Sequence, residues 1–270
     1  MTNTTEPIKH LWQAENYHQH SSAQRDAAEH LLKSIQLKGN ERILDVGCGD
    51  GKITAALAKR VPVGCVIGVD VSPEMINFAS QTFGKDHYPN LTFLCQDAQQ
   101  FNCGTELDMV FSSFALQWLP NPGLFFRCAK KSLKISGCIV ATIPLGISSE
   151  LDNAINSVVA LPDWSGYFKG FSSGWHFLTD EKYKQLLMEH EFVLRQFATV
   201  SQKAIFPSRE HFEKYIVQWL PHLNPLPQHL KHGFLEQITN KYLQSAPILE
   251  SGQVEFTFSR VDFVAERATL

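Results

Sequence analysis

The chain has 270 residues, 44% of them hydrophobic, and a formal net charge of −3. That length and apolar content suffice for a full buried core, while nearly balanced charge with no run of lysine or arginine lacks the electrostatic footprint of a nucleic-acid binder. Residues 1–7 carry no basic segment leading into an apolar one, and no stretch reaches the roughly 18 apolar residues of a membrane span, so a cytoplasmic protein free of the membrane is expected.

Ala23, Ala27, Ala28, Leu31, Leu32 and Ile35 recur at three- and four-residue spacing, which predicts an amphipathic helix up to about residue 38, with residues 17–22 as a polar lead-in. Strands and helices then alternate. A strand is expected at Arg42–Val46, a helix at 52–59, a strand at 65–71, and a helix at 73–83 with Ser72 as N-cap and Pro73 in its first turn. Strands at 91–96 and 107–113, a helix at 123–133, and a strand at 138–143 after the Ser136-Gly137 turn continue the series. Such regular β-α-β order predicts an α/β fold with a doubly wound, mostly parallel sheet and helices on both faces.

Past Leu145 the regularity lapses into an aromatic stretch with Trp164, Tyr167, Phe168, Phe171, Trp175 and Phe177 among glycines, which reads as a cap. A helix at 179–190 follows, with Thr179 as N-cap and Lys182 where a capping box wants Glu. Next come a strand at 192–206, one helix carrying Phe212, Ile216 and Trp219, a proline-broken segment at 220–227, a second helix, and a last strand at 254–265. The expected organisation is a single domain over 1–270 with cap segments at about 146–178 and 207–250, placed where substrate selection is usually built. Six cysteines without a C-x-x-C pair are expected to be reduced structural thiols.

The most informative stretch runs from Glu41 to Gly51: an apolar strand, the acid Asp45, and the alternating glycines Gly47, Gly49 and Gly51. Glycines past the carboxyl end of a buried strand let the backbone turn sharply and approach a ligand. The dinucleotide pattern G-x-G-x-x-G would need glycine at Lys52, and a P-loop would need a Gly-Lys-Ser/Thr ending that Gly51-Lys52-Ile53 lacks. A nicotinamide-dependent oxidoreductase is therefore disfavoured. Asp45 argues the same way, because a carboxylate at the strand end repels phosphate and accepts from a cationic amine.

Asp70 ends the second strand, 25 residues beyond Asp45, where an acid can accept ribose hydroxyls. Asp97 ends the third strand, within reach of an exocyclic adenine amine. Any one of these acids is ordinary turn chemistry; three on neighbouring strands beside the glycines describe one adenosine-type ligand.

Residues 43–51, Gly68-Val69-Asp70-Val71-Ser72-Pro73-Glu74-Met75 and Gln96-Asp97-Ala98 resemble the successive motifs of class I S-adenosylmethionine-dependent methyltransferases, over about residues 15–145 and 179–265. The resemblance implies a Rossmann-like, seven-stranded sheet with the last strand antiparallel and a helical cap inserted before it. It assigns Asp45, Gly47, Cys48 and Gly49 to the methionine part of S-adenosyl-L-methionine. Asp70 falls to the ribose and Asp97 with Ala98 to the adenine, and Val71, Met75 and Phe114 are added to the cofactor set. Within the family, Tyr17, Gln24-Arg25-Asp26-Ala27 and Ser113-Phe114-Ala115-Leu116-Gln117-Trp118 resemble the trans-aconitate and juvenile hormone acid carboxyl methyltransferases. That finer likeness implies that Gln24, Gln117 and Trp118 face a small-molecule substrate, with Gln24 and Trp118 positioning its carboxylate.

A carboxylic acid is already ionised at neutral pH, so its methylation needs no general base. The acceptor could instead be a carrier-bound acyl acid or another small O, N or C nucleophile, and a non-catalytic cofactor-binding protein is the reading from a different class. His222, His229 and His232 match no zinc spacing and are expected on a solvent-facing helix surface; His176 and His211 are the other candidate bases. His18 and His20 are expected to be polar surface residues.

Overall fold

The computed structural model describes residues 12–103, 106–246, 249 and 252–268; the opening residues 1–7 lie outside them, as do 247–248 and 250 of the second cap segment. Seven strands, β1 (Arg42–Val46), β2 (Cys65–Asp70), β3 (Leu91–Cys95), β4 (Leu107–Ser113), β5 (Leu133–Pro144), β6 (Phe192–Phe206) and β7 (Val254–Arg267), form one sheet in the order β3-β2-β1-β4-β5-β7-β6. The first five pair in parallel, and β7 runs antiparallel to both β5 and β6. Strand order reverses between β1 and β4, so the crevice at their carboxyl ends is the switch point where such sheets bind ligands.

The helices are α1 (Ala14–His20), α2 (Ser22–Lys33), α3 (Lys52–Arg60), α4 (Pro73–Thr82), α5 (Pro122–Ser132), α6 (Ser149–Val159), α7 (Pro162–Ser165), α8 (Asp180–Glu189), α9 (Arg209–Val217) and α10 (Gln228–Ser245). Side chains alternate across the sheet with period two. Ile43, Met109 and Phe111 pack with Leu31 and Leu32 of α2 and Leu57 of α3. Leu44, Val46 and Val110 pack on the other face with Phe125 and Phe126 of α5 and Tyr183 of α8. Both faces of β1 and β4 are thus buried, which is why their sequences are apolar runs rather than alternations.

The expected caps are present: Ser72 Oγ accepts from Met75 N at 3.3 Å and Thr179 Oγ1 from Lys182 N at 3.2 Å. Four elements depart from the sequence expectation. Residues 17–22 are no lead-in: α1 covers most of them and ends at His20, with Ser21 between it and α2. Only Ala14 of α1 is buried, so the helix has no apolar stripe to announce it. Strand β5 begins at Leu133, five residues before the expected 138, and its register with β4 shifts between Leu107 and Met109, beside Ser136 at φ 64°. Trp219 lies in the turn past the end of α9 rather than on it. Finally, the first cap segment holds α6, capped by Ser148 Oγ on Leu151 N at 3.2 Å, which the aromatic reading passed over.

Helix α6 joins the two caps. Its buried Leu151, Ile155 and Val158 share one cluster with Phe212 and Ile216 of α9, Phe234 and Ile238 of α10, and Phe256 and Phe258 at the start of β7. Residues 146–178 and 207–246 therefore share one hydrophobic cluster.

Candidate functional site

The turn after β1 is built from three left-handed glycines, Gly47 at φ 75°, Gly49 at φ 52° and Gly51 at φ 79°. Two of them answer to packing. A Cβ on Gly47 would lie 2.2 Å from Ala115 Cβ, and one on Gly51 would lie 2.7 Å from the Phe93 ring. Gly49 differs, since within 4 Å its Cβ would meet only Tyr17 Cε1 at 3.8 Å. Backbone bonds from Gly47 N and Cys48 N to Val69 O, 2.8 and 3.0 Å, tie the turn to β2.

Asp45 is buried beneath this turn, and its Oδ2 accepts from Thr54 Oγ1 at 2.7 Å. Burial pushes its carboxyl up to about 7; the Thr54 bond opposes the shift, and the neighbouring Asp70 and Asp50 charges add to it. Asp70 accepts from Gly49 N at 3.0 Å and Ser72 N at 2.9 Å, and burial also raises its carboxyl above the usual range. Asp97 follows β3 and accepts from Gln99 N at 2.8 Å, while Gln96 N bonds Asp70 O at 3.0 Å, so the tips of β2 and β3 are stitched together. The three acids thus finish three adjacent strands.

A cavity of about 430 Å³ opens at this turn, lined by Asp45, Gly47, Cys48 and Gly49 together with Asp50, Arg25 and Lys52. Asp70, Val71, Met75, Asp97, Ala98 and Phe114 are not in its lining. Met75 is buried in α4, Val71 is exposed beyond β2, Ala98 is partly buried, and Phe114 faces the second cavity. Asp50 was not singled out from sequence, yet its Oδ2 holds His18 Nδ1 at 2.8 Å. His18 is therefore no idle surface residue: with Lys52 Nζ donating to its carbonyl and Ala14 N donating to Glu74 Oε1 at 3.1 Å, it pins α1 across the turn.

The second cavity, about 500 Å³, brings together Gln24, Phe114, Gln117 and Trp118. Trp175 and Phe177 come from the first cap segment, Tyr215 and Trp219 from α9 and the turn after it, and Phe256 and Phe258 from one face of β7. Among the described residues, ten of the fifteen that line it are aromatic and none is charged. Trp118 sits between Trp12 and Trp175, with ring centroids 5.5 and 6.4 Å away. Phe114 adopts φ 53°, the left-handed region that non-glycine residues seldom enter. Gln117 Nε2 donates to the Phe114 carbonyl at 2.7 Å.

Two side chains, Tyr17 and Gln24, line both cavities. Gln24 Oε1 and Gln117 Oε1 are buried without a hydrogen-bond partner. Burial, reinforced by the Asp50 carboxylate, keeps the Tyr17 hydroxyl well above its ordinary range and hence neutral. Trp219 Nε1 makes no hydrogen bond of good geometry, although it is near enough to Tyr215 to favour its phenolate slightly against the burial that raises it.

Of the histidines, His229 and His232 are exposed as expected, but His222 is buried. It packs against Phe171 and Trp175 with centroids at 4.9 and 5.6 Å, and burial lowers its imidazole to about 4. A three-residue turn at Pro221–Leu223, not a helix surface, carries it, which spacing alone could not reveal. Among the described residues no group of His, Cys, Asp or Glu could hold a metal ion, and no helix is long and apolar enough to cross a membrane.

The family model for a methyltransferase domain matches residues 43–137, the span from β1 to the start of β5. The 235L protein of Invertebrate iridescent virus 6, named only as a methyltransferase, is 27% identical over 95% of this chain and 93% of its own. The trans-aconitate 2-methyltransferase of Enterobacter sp. (strain 638) is 26% identical over 95% of this chain and 98% of its own. Among solved structures, the phosphoethanolamine N-methyltransferase 2 of Haemonchus contortus, in complex with phosphomonomethylethanolamine and S-adenosylhomocysteine, superposes with a TM-score of 0.58 at 16% identity. That match covers 90% of this chain and 53% of the other, and it shows a shared fold.

Proposed function

We propose that this chain, a class I S-adenosylmethionine-dependent methyltransferase resembling the trans-aconitate branch, methylates the carboxylate oxygen of a small, partly apolar acid. The observation that carries this reading is the junction of the two cavities at Tyr17 and Gln24. One side offers acids and an open glycine turn for the donor; the other offers an uncharged aromatic cleft for the acceptor.

The residues at the turn fit the donor. Asp45 is a buried carboxylate whose one side-chain partner among the described residues is the Thr54 hydroxyl, so a cationic amine would satisfy it. Gly49 leaves the floor of the cavity open. Asp45, Gly47, Cys48 and Gly49 would hold the methionine part, Asp70 the ribose, and Asp97 with Ala98 the adenine. When bound, S-adenosylmethionine supplies a sulfonium methyl that an oxygen nucleophile can take.

The remaining work is placement. Holding reacting atoms in line at contact distance is worth about 7–11 kcal/mol of the barrier. Gln24, free to turn its amide N–H toward the acceptor, and Trp118, fixed between Trp12 and Trp175, orient the acid. The aromatic lining excludes water from its oxygen. A carboxylate is ionised without help, so no proton has to be removed.

Incubation with a labelled methyl donor and a panel of acids, phenols and amines is expected to yield methyl esters. Trp118→Ala and Gln24→Ala should each lower kcat/KM by about tenfold or more, and Trp118→Ala should leave S-adenosylhomocysteine affinity nearly unchanged. Normal turnover by both variants would refute their assignment. Methylation of phenols or amines alone would refute the carboxylate.

A further inference from the structure

The acceptor cleft says more about its ligand than that it is an acid. We infer that the acceptor is a monocarboxylic acid whose otherwise apolar body carries a hydroxyl or N–H that donates to Gln117 Oε1, and that polycarboxylates such as trans-aconitate are refused. This inference rests on the carboxylate reading above.

Among the described residues, none that lines the cleft is cationic. Arg260, buried on β7 beyond Phe256 and Phe258, is engaged with Asp262, Gln202 and Thr142 and does not reach the lining. Lys52 and Arg25 line the other cavity, where Lys52 donates to His18 O and Arg25 contacts Asp26. A single carboxylate entering the cleft has the cofactor's own positive charge beside it, whereas a second or third would be buried with no partner, which is strongly unfavourable.

Gln117 has a determined orientation: because Nε2 donates to Phe114 O at 2.7 Å, turning the amide over would set two carbonyl oxygens against each other. Its backbone is held as well, with His176 N donating to Gln117 O at 2.7 Å. The Oε1 that remains is a buried acceptor without a partner, on a side chain lining a cleft whose described lining is mostly aromatic. A rigid, unsatisfied acceptor favours a ligand that brings a donor and rejects one that brings another carboxylate. Gln24 contrasts with it: no hydrogen bond holds its amide, so it can adapt to the carboxylate at the junction.

The test compares matched acids with the whole chain and labelled methyl donor: 4-hydroxycinnamate against cinnamate, 10-hydroxydecanoate against decanoate, and trans-aconitate. Wild type is expected to prefer the hydroxylated member of at least one pair by about tenfold or more in kcat/KM, and to leave trans-aconitate unmethylated. In Gln117→Met the preference should collapse while S-adenosylhomocysteine still binds; should that variant not fold, the wild-type ratios decide alone. Equal rates within both pairs, trans-aconitate turnover matching the best monocarboxylate, or a preference that survives Gln117→Met each overturns the inference. If S-adenosylhomocysteine binds but no acid is methylated, the carboxylate reading itself falls, and this inference with it.

Discussion

The cavity at the glycine turn is lined by Asp45, Asp50, Arg25 and Lys52, whereas the cleft that meets it at Tyr17 and Gln24 has no charged side chain among its described lining residues. The first is local in sequence, built mainly from one strand end, the turn after it and the first helices. The second draws on residues from Trp12 to Phe258. A constant ligand needs fixed hydrogen-bonding groups on rigid strand ends, while an acceptor of variable shape needs surface that caps can reshape without disturbing the sheet. The cavities should therefore respond to substitution independently.

The largest effect is expected at Gly47. An alanine there would clash with Ala115 and hold a strained φ of 75°, costing about 3 kcal/mol or more and abolishing S-adenosylhomocysteine binding. Calorimetric titration alongside thermal unfolding checks both.

Asp45→Asn comes next and separates binding from folding. Its side-chain oxygen can still accept from Thr54, but the charge is gone, so S-adenosylhomocysteine affinity should fall about 10- to 100-fold. The unliganded protein at pH 8 should be no less stable, because a buried ionised carboxyl has been removed.

This separation makes the account of the site testable against the sequence as well. The turn, its acids and the strands of the sheet were legible because each is a short, local pattern: an apolar run, a glycine series, an acid at the strand end. Ser72 and Thr179 announced their helices by capping chemistry. Helix α1 was not legible, since its docking depends on His18, Glu74 and Lys52 meeting polar partners up to 60 residues away. Helix α6 did carry a stripe of Leu151, Ile155 and Val158 after Ser148, but the neighbouring aromatics masked it. Burial of His222 and the contribution of Phe256 to the aromatic cleft arise only when the segments at 146–178 and 207–246 pack together, a tertiary event with no local signature.

The smallest effect is a pH slope at Asp45. With its carboxyl at about 7 in the free protein, a cationic amine must displace a proton below that pH, so S-adenosylhomocysteine affinity should decline from pH 8 to 6, by at most about tenfold per unit. Unliganded stability moves oppositely. The folded state holds this proton more tightly than the unfolded chain, so the Asp45 contribution grows as pH falls from about 7 toward 4. Both slopes should vanish in Asp45→Asn.

The decisive measurement is a crystal structure of the chain with S-adenosylhomocysteine and an apolar monocarboxylic acid bound together. The expected result has the amine on Asp45, the adenine beside Asp97, and the acid's carboxylate at the Tyr17–Gln24 junction with its body among Trp118 and Trp175. An adenosyl group lodged in the aromatic cleft, or an acid bound away from that junction, would contradict the division of the site into a charged donor cavity and an uncharged acceptor cleft.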